Sequence, residues 1–198
     1  KDKNNLKKII FEIDPEKVFF FHWSYIVPKV IYNNYECINL HTSNLPYGKG
    51  GSPLQNQILD NITLSKVNAL QMSDDGLDSG PIYCSQDVTL QGSLFDIFNM
   101  LEHVSYKLII KIIEKKMVPV PQIKKDVPVY KRRRDNRIPF NTENNIDKIY
   151  DFIRMLDSSY YPNPFFRIGK YQLEFKRASF DGEEIIADVK ITKINEIT

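Results

Sequence analysis

The sequence predicts an α/β protein whose mainly parallel sheet carries helices on both faces. Two observations support this fold class. Helical and strand-like patterns alternate from residue 4 to residue 116, which is typical of strands joined by crossover helices. Residues 18–21 are apolar without interruption, as expected of a strand buried on both faces. The 198-residue chain is 42% hydrophobic, which is enough for a substantial core.

The first half of the chain is predicted to consist of short elements. Apolar residues recur at helical spacing before Pro15, which ends the first helix. Pro28 and Pro53 favour helix starts, and Ser52 is expected to cap the helix that follows it. In chain order, the predicted elements are a helix over 4–13, a strand over 18–21, a helix over 28–34, a strand over 37–40, a helix from 52 onward, and strands over 65–72 and 81–90.

A long amphipathic helix is predicted over residues 93–116. Its apolar residues recur at intervals of three and four, so that they form one stripe. Ser93 and Asp96 have the spacing of a capping box, with Asp in place of the usual Glu.

The pattern changes after this helix. Residues 118–121 read Val-Pro-Val-Pro and predict a stiff connection. An amphipathic helix is expected over 146–156, then two strands joined as a hairpin at Gly169 and Lys170, and a further strand. The two hairpin strands are predicted over 165–168 and 171–177, and the last strand over 185–194. We therefore expect a catalytic domain over residues 1–122 and a small, mostly β appendage over 123–198.

The overall charge of the chain is nearly balanced. The chain has 27 basic and 25 acidic residues, so neither nucleic acid nor a membrane surface is an expected partner. No apolar run reaches membrane-span length and no signal-peptide pattern is present, so a cytoplasmic location is expected. Cys37 and Cys84 are predicted to be free thiols, although a disulfide is an alternative. No paired Cys/His motif indicates a metal site.

Two polar side chains share one face of a predicted strand. Asn39 and His41 are two residues apart, and strand side chains alternate with period two. A carboxamide and an imidazole side by side can polarise a carbonyl and transfer a proton. The loop that follows is rich in Gly and Pro, as expected where a strand opens into a site.

A second polar cluster occupies residues 73–81, between two predicted strands. Its composition alone favours a solvated acidic turn. A carboxylate in this loop can instead pair with an imidazole at a neighbouring strand end and raise its basicity.

Three linked motifs resemble those of the folate-dependent N-formyltransferases. They are NLHTSNLP at 39–46, GGSPLQ at 50–55 and GLDSG at 76–80. The resemblance is strongest over residues 16–120. It implies a Rossmann-like domain that uses 10-formyl-tetrahydrofolate as co-substrate, with Asn39, His41 and Asp78 as catalytic residues. In that chemistry an amine attacks the formyl carbonyl, Asn39 and protonated His41 donate to the developing oxyanion, and Asp78 orients His41 and helps remove the amine proton.

The resemblance also implies where the cofactor binds. Residues 21–28 match the family stretch that borders the pterin ring, and residues 73–77 would close the other side of the pocket. Simple packing of Trp23 and Tyr25 against a helix is an equally good interpretation of those two side chains. The implied cofactor-binding residues are Ser24, Tyr25, Ile26, Ser73, Asp74, Asp75, Gly76 and Leu77.

The acceptor amine is a separate question. The motif at 50–55 and the tail after residue 130 resemble the branch that formylates nucleotide-linked amino sugars for bacterial surface polysaccharides. The predicted substrate-binding residues are Tyr47, Gly50, Gly51 and Arg133, where the arginine meets a diphosphate; a solvated face is the alternative for the basic run 131–134. Methionyl-tRNA is the second acceptor considered, and a non-catalytic folate-binding or assembly module is the alternative of another class.

The chain departs from the family at its start. The family's domain begins with a strand, a helix and a second strand, whereas this sequence opens inside a predicted helix. We therefore expect the N-terminal strands to be missing and a sheet edge to be exposed. An exposed edge favours pairing with a second chain, so a homodimer is a further expectation.

Overall fold

The computed structural model describes residues 5–140 and 145–194. Within them the chain forms a four-stranded sheet of order β1-β2-β3-β4 and a separate three-stranded sheet of order β5-β6-β7. The elements are α1 Leu6–Ile13, β1 Lys17–Phe21, α2 Lys29–Tyr32, β2 Glu36–Thr42, α3 Pro53–Leu59, β3 Leu64–Gln71, β4 Ile82–Thr89, α4 Leu94–Lys115, α5 Ile146–Arg154, β5 Phe165–Ile168, β6 Tyr171–Phe180 and β7 Ile185–Lys193. The mixed α/β class and the order of elements are confirmed, while residue 4 of the predicted first helix lies outside the described residues.

The prediction of a mainly parallel sheet is wrong. Only β1 and β2 pair in parallel, whereas β2–β3 and β3–β4 are antiparallel. The seven residues of α3 span about 10 Å, but the seven residues of β2 span about 23 Å. The helix alone therefore covers less than half of the distance back to the start of β2, and it does not form the crossover that a parallel neighbour of β2 needs. No helix lies between β3 and β4, so the alternation of patterns did not imply a series of crossovers.

Helices pack on both faces of the four-stranded sheet. The neighbours Cys37 and Ile38 point to opposite faces and belong to different apolar clusters. Cys37 packs with Ile10 of α1 and Ile31 of α2, and burial raises the pKa of its thiol to about 11. Ile38 packs in the larger cluster with residues of α3 and α4. Both cysteines are free thiols.

Helix starts follow the predictions in one case and depart in another. Ser93 accepts a hydrogen bond from the Asp96 backbone N–H at 3.2 Å, which confirms the predicted cap of α4. Ser52 does not cap α3. Its hydroxyl accepts instead from the Arg133 backbone N–H at 3.1 Å, because the chain after residue 128 runs over this helix start.

The C-terminal region combines α5 with an antiparallel sheet. The predicted hairpin is confirmed, since Ile168 pairs with Tyr171 across Gly169 and Lys170. Phe152 and Ile153 of α5 belong to the same apolar cluster as the four-stranded sheet. The division at residues 122 and 123 stays a prediction.

The described residues contain neither a helix suited to a membrane nor a cluster suited to a metal ion. None of their helices has both the length and the apolarity to cross a bilayer. No group of three or more His, Cys, Asp or Glu side chains lies close enough together to hold a metal ion in residues 5–140 and 145–194.

Candidate functional site

A cavity of about 770 Å³ opens beside the C-terminal half of β2. It lies between the segment after β1, the loop after β2 and the loop between β3 and β4. The residues that line it are 22–27, 32, 39–42, 50–55, 70–74, 76–78, 80, 130, 132 and 161. This volume is in the range of sites that bind drug-sized molecules.

Asn39, His41 and Asp78 meet at the wall of this cavity. The Asn39 Nδ2 donates to Asp78 Oδ1 at 3.2 Å, and His41 Nδ1 lies 3.5 Å from the same oxygen. The His41 and Asp78 side chains are only 5% and 7% exposed. The strand period places the first two residues on one face, and the loop between β3 and β4 brings the carboxylate to them.

The hydrogen bonds of His41 limit where its protons can be. Its Nε2 lies 2.9 Å from the carbonyl oxygen of Gly48, which can only accept, so Nε2 carries a hydrogen. The other ring nitrogen, Nδ1, faces Asp78 Oδ1 at 3.5 Å, so the imidazole lies between the Gly48 carbonyl and the carboxylate.

The loop after β2 holds the other oxygen of Asp78. The Gly50 backbone N–H donates to Asp78 Oδ2 at 3.0 Å. Gly50 has φ +101°, and a Cβ there would lie 2.4 Å from the Tyr130 carbonyl oxygen. Glycine is required at this position for both reasons. Beside it, Lys49 Nζ donates to Ser79 Oγ at 2.9 Å, a link that sequence reasoning missed.

Most of the predicted cofactor-binding residues line the cavity. Ser24, Tyr25 and Ile26 form one side, and the last two are 45% and 78% exposed at its mouth. Trp23 lines the cavity and also packs edge-on, at 5.6 Å, against Phe20, which lies on strand β1 and not on a helix.

The opposite side is formed by Ser73, Asp74, Gly76 and Leu77. A hydrogen bond and ion pair from Lys29 at 2.5 Å lower the pKa of Asp74, which is therefore anionic at neutral pH. Asp75 is outside the lining, and its carboxylate accepts from Ser73 Oγ at 2.8 Å.

The predicted substrate-binding residues divide into two groups. Gly50 and Gly51 line the cavity, whereas Tyr47 and Arg133 do not. Tyr47 is half exposed, and Lys125 donates to its hydroxyl. The Arg133 guanidinium lies 5.7 Å from the centre of the Phe152 ring. Successive residues of an extended segment point to opposite sides, so it is Arg132 that faces the cavity.

Sequence reasoning missed three side chains from distant segments. Arg132 Nη1 donates to the Ser24 carbonyl at 2.7 Å and so bridges two walls of the cavity. Gln55 and Tyr161 also line it, and burial raises the pKa of Tyr161. Gln55 is the last residue of the GGSPLQ motif. Nothing in the sequence, however, indicated that α3 and the segment after α5 would meet at this cavity.

Comparisons with known proteins identify the class. The family described as methionyl-tRNA formyltransferase, C-terminal domain, matches residues 134–192. The structure of the methionyl-tRNA formyltransferase from Clostridium thermocellum superposes with a TM-score of 0.90 and 38% identity, covering 98% of this chain and 85% of that one. Fold and site together therefore define a formyltransferase-type α/β protein. The chain belongs to the methionyl-tRNA formyltransferase family.

Two further comparisons show how far the likeness to known proteins extends. The methionyl-tRNA formyltransferase of Rickettsia prowazekii is 33% identical over 120 residues, which are 58% of this chain and 39% of that protein. The chain thus spans only part of the curated relatives it matches, between 36% and 59% of their length. The N-formyltransferase from Helicobacter canadensis, in complex with folinic acid and dTDP-3-aminofucose, has a TM-score of 0.60 and 22% identity, covering 87% of this chain and 73% of that one. At 22% identity this likeness supports the fold alone.

Proposed function

We propose that this protein transfers the formyl group of 10-formyl-tetrahydrofolate to a primary amine. The observation that carries the proposal is the contact of Asn39 and His41 with one oxygen of Asp78, at 3.2 and 3.5 Å, on the wall of a 770 Å³ cavity. A carboxamide, an imidazole and a carboxylate in mutual contact supply a donor for an oxyanion and a base for an amine proton.

The cavity also fits a folate. Trp23, Tyr25, Ile26 and Leu77 offer flat or apolar surfaces to a ring, beside polar groups that can orient it. The complex of the Helicobacter canadensis protein holds a folate, folinic acid. When bound, the cofactor would supply the formyl group that the amine takes up.

Asn39 is the donor best placed for the formyl oxygen. Its amide has two hydrogens, and only one of them is used by Asp78. The His41 Nε2 hydrogen is directed to the Gly48 carbonyl in this geometry. We therefore assign the hydrogen bond to the developing oxyanion to Asn39. His41 acts on Asp78 rather than on the formyl oxygen.

Asp78 is the base in this scheme. Its carboxylate accepts the proton that the amine loses as the new C–N bond forms, and His41 stabilises the carboxylate from Nδ1. The same proton is returned when the C–N bond to the cofactor breaks. Atoms and charge balance, because one proton leaves the acceptor amine and one reaches the cofactor's nitrogen.

Methionyl-tRNA is the acceptor that the relatives support best. The protein that is 33% identical and the structure that is 38% identical both carry that name. The sequence interpretation placed an amino sugar first. The sugar-binding neighbour, however, is only 22% identical, so it supports the fold and not the choice of acceptor. That interpretation used the net charge of +2, whereas phosphate contacts depend on local charge, such as the basic run 131–134 beside the cavity.

The test is a formylation assay on the 198-residue chain with 10-formyl-tetrahydrofolate. We expect one added formyl group on methionyl-tRNA, read by mass after release of the amino acid, and none on a panel of nucleotide-linked amino sugars. Formylation of a sugar but not of methionyl-tRNA would contradict the acceptor. Folate binding without formylation of any of these amines would contradict the activity and support a binding module.

A further inference from the structure

The segment that follows α4 runs across both loops of the site. At its start, the backbones of Val120 and Ile82 exchange hydrogen bonds of 2.9 and 2.8 Å. At its end, the Tyr130 N–H donates to the Lys49 carbonyl at 2.7 Å and its carbonyl accepts from the Gly51 N–H at 2.8 Å. We call residues 120–130 the crossing segment. It has no regular secondary structure between these two ends, so its position depends on such contacts.

Gln122 connects the crossing segment to the loop that carries Asp78. Its Nε2 donates to the backbone carbonyls of Asp78 and Gly80 at 2.9 and 2.8 Å. An amide nitrogen has two hydrogens, so both are used. The amide cannot be turned over, because its oxygen would then face two carbonyl oxygens. Its Oε1 is buried and accepts no hydrogen bond from any residue that the structure describes.

The backbone of Asp78 needs such support. Asp78 has φ +50°, the left-handed region that a residue with a Cβ disfavours. Within the loop, the Ser79 N–H reaches the Gly76 carbonyl at 3.2 Å. The two carbonyls that Gln122 binds belong to Asp78 itself and to Gly80, two residues further on. They therefore fix the backbone from which the Asp78 side chain leaves the loop.

We infer that Gln122 is a positioning residue for Asp78, a role that rests on the proposed function. By holding the Asp78 and Gly80 carbonyls it keeps the carboxylate within reach of Asn39 and His41. A position on the segment between α4 and α5 thereby controls the base of the reaction without touching either substrate.

The test compares Gln122→Met with wild type. Met has a similar length but no N–H donor, so it keeps packing and removes the two hydrogen bonds. We expect kcat to fall at least about tenfold while KM for 10-formyl-tetrahydrofolate stays within about twofold. Gln172→Met is the matched control, because Gln172 Nε2 donates to Glu174 in the separate sheet. It should leave both constants unchanged.

A second measurement does not need activity. The chain has three histidines, so the imidazole nitrogen signals of His41 can be assigned in an NMR spectrum by His22→Gln and His103→Gln variants. We expect Gln122→Met to shift the His41 signals and to leave those of His103 in place. An unshifted His41 spectrum together with wild-type kcat would overturn the inference. A shifted spectrum in a chain that formylates no amine would overturn only the proposed function, and Gln122→Ala replaces the Met variant if that variant does not fold.

Discussion

The two sheets differ in how deeply they bury their side chains. In the four-stranded sheet, His41, Ser65 and Asn68 are at most 6% exposed. Asn68 there donates to the Ser43 carbonyl at 2.6 Å. In the three-stranded sheet no described residue of β5, β6 or β7 is fully buried. Buried polar groups cost free energy unless they are paired, so they accumulate where a site must be held in one geometry. Changes near β2 should therefore affect turnover, and equivalent changes in the β5–β7 sheet should not.

The largest effect is expected from Asp78→Asn. This change keeps the size of the side chain but removes the base and the partner of His41, so kcat should fall roughly 10³-fold. Folding should persist, because an amide can still accept from the Gly50 N–H. Steady-state kinetics and a thermal melt measure the two quantities. The matched control is Asp188→Asn on β7, whose carboxylate pairs with Arg177 on the surface, and Asp78→Asn with near-normal kcat would remove Asp78 from the mechanism.

The next test compares two glycines with similar backbones. Gly50 has φ +101° and Gly182 has φ +106°, so an Ala at either position adopts a disfavoured φ at a cost of about 1 kcal/mol. A Cβ at Gly50 also meets the Tyr130 carbonyl at 2.4 Å, whereas a Cβ at Gly182 meets no atom of the described residues within 4 Å. We expect Gly50→Ala to lower the free energy of unfolding by about 2 kcal/mol more than Gly182→Ala, and to reduce kcat. Urea denaturation measures the difference, and equal losses would show that the crossing segment moves aside freely.

The sequence predicted the parts of the site that depend on local geometry. Asn39 and His41 share a face because of the strand period, and Asp78 followed from a motif in the next polar loop. Arg132 was missed in favour of Arg133, since which side of an irregular segment faces a cavity depends on distant contacts. Gln122 and Tyr161 were missed for the same reason. The antiparallel direction of β3 was also missed, because it depended on the length of α3 rather than on its presence.

The smallest effect concerns a polar contact at the edge of the four-stranded sheet. Burial raises the pKa of Glu36, but hydrogen bonds from Lys17 and Tyr83 outweigh it and leave that pKa below its usual value. A carboxyl group with a lowered folded-state pKa stabilises the fold above its unfolded pKa of about 4.3, and this contribution is lost as the pH falls through the folded value.

Glu36→Gln should therefore lower the free energy of unfolding by about 1 kcal/mol or less at pH 7, since the pair is partly exposed. The difference from wild type should shrink as the pH falls below about 4. Urea denaturation at a series of pH values measures this, with Glu102→Gln on the exposed side of α4 as the control. A difference that stays constant down to the lowest pH would mean that Glu36 stabilises the sheet through its shape rather than its charge.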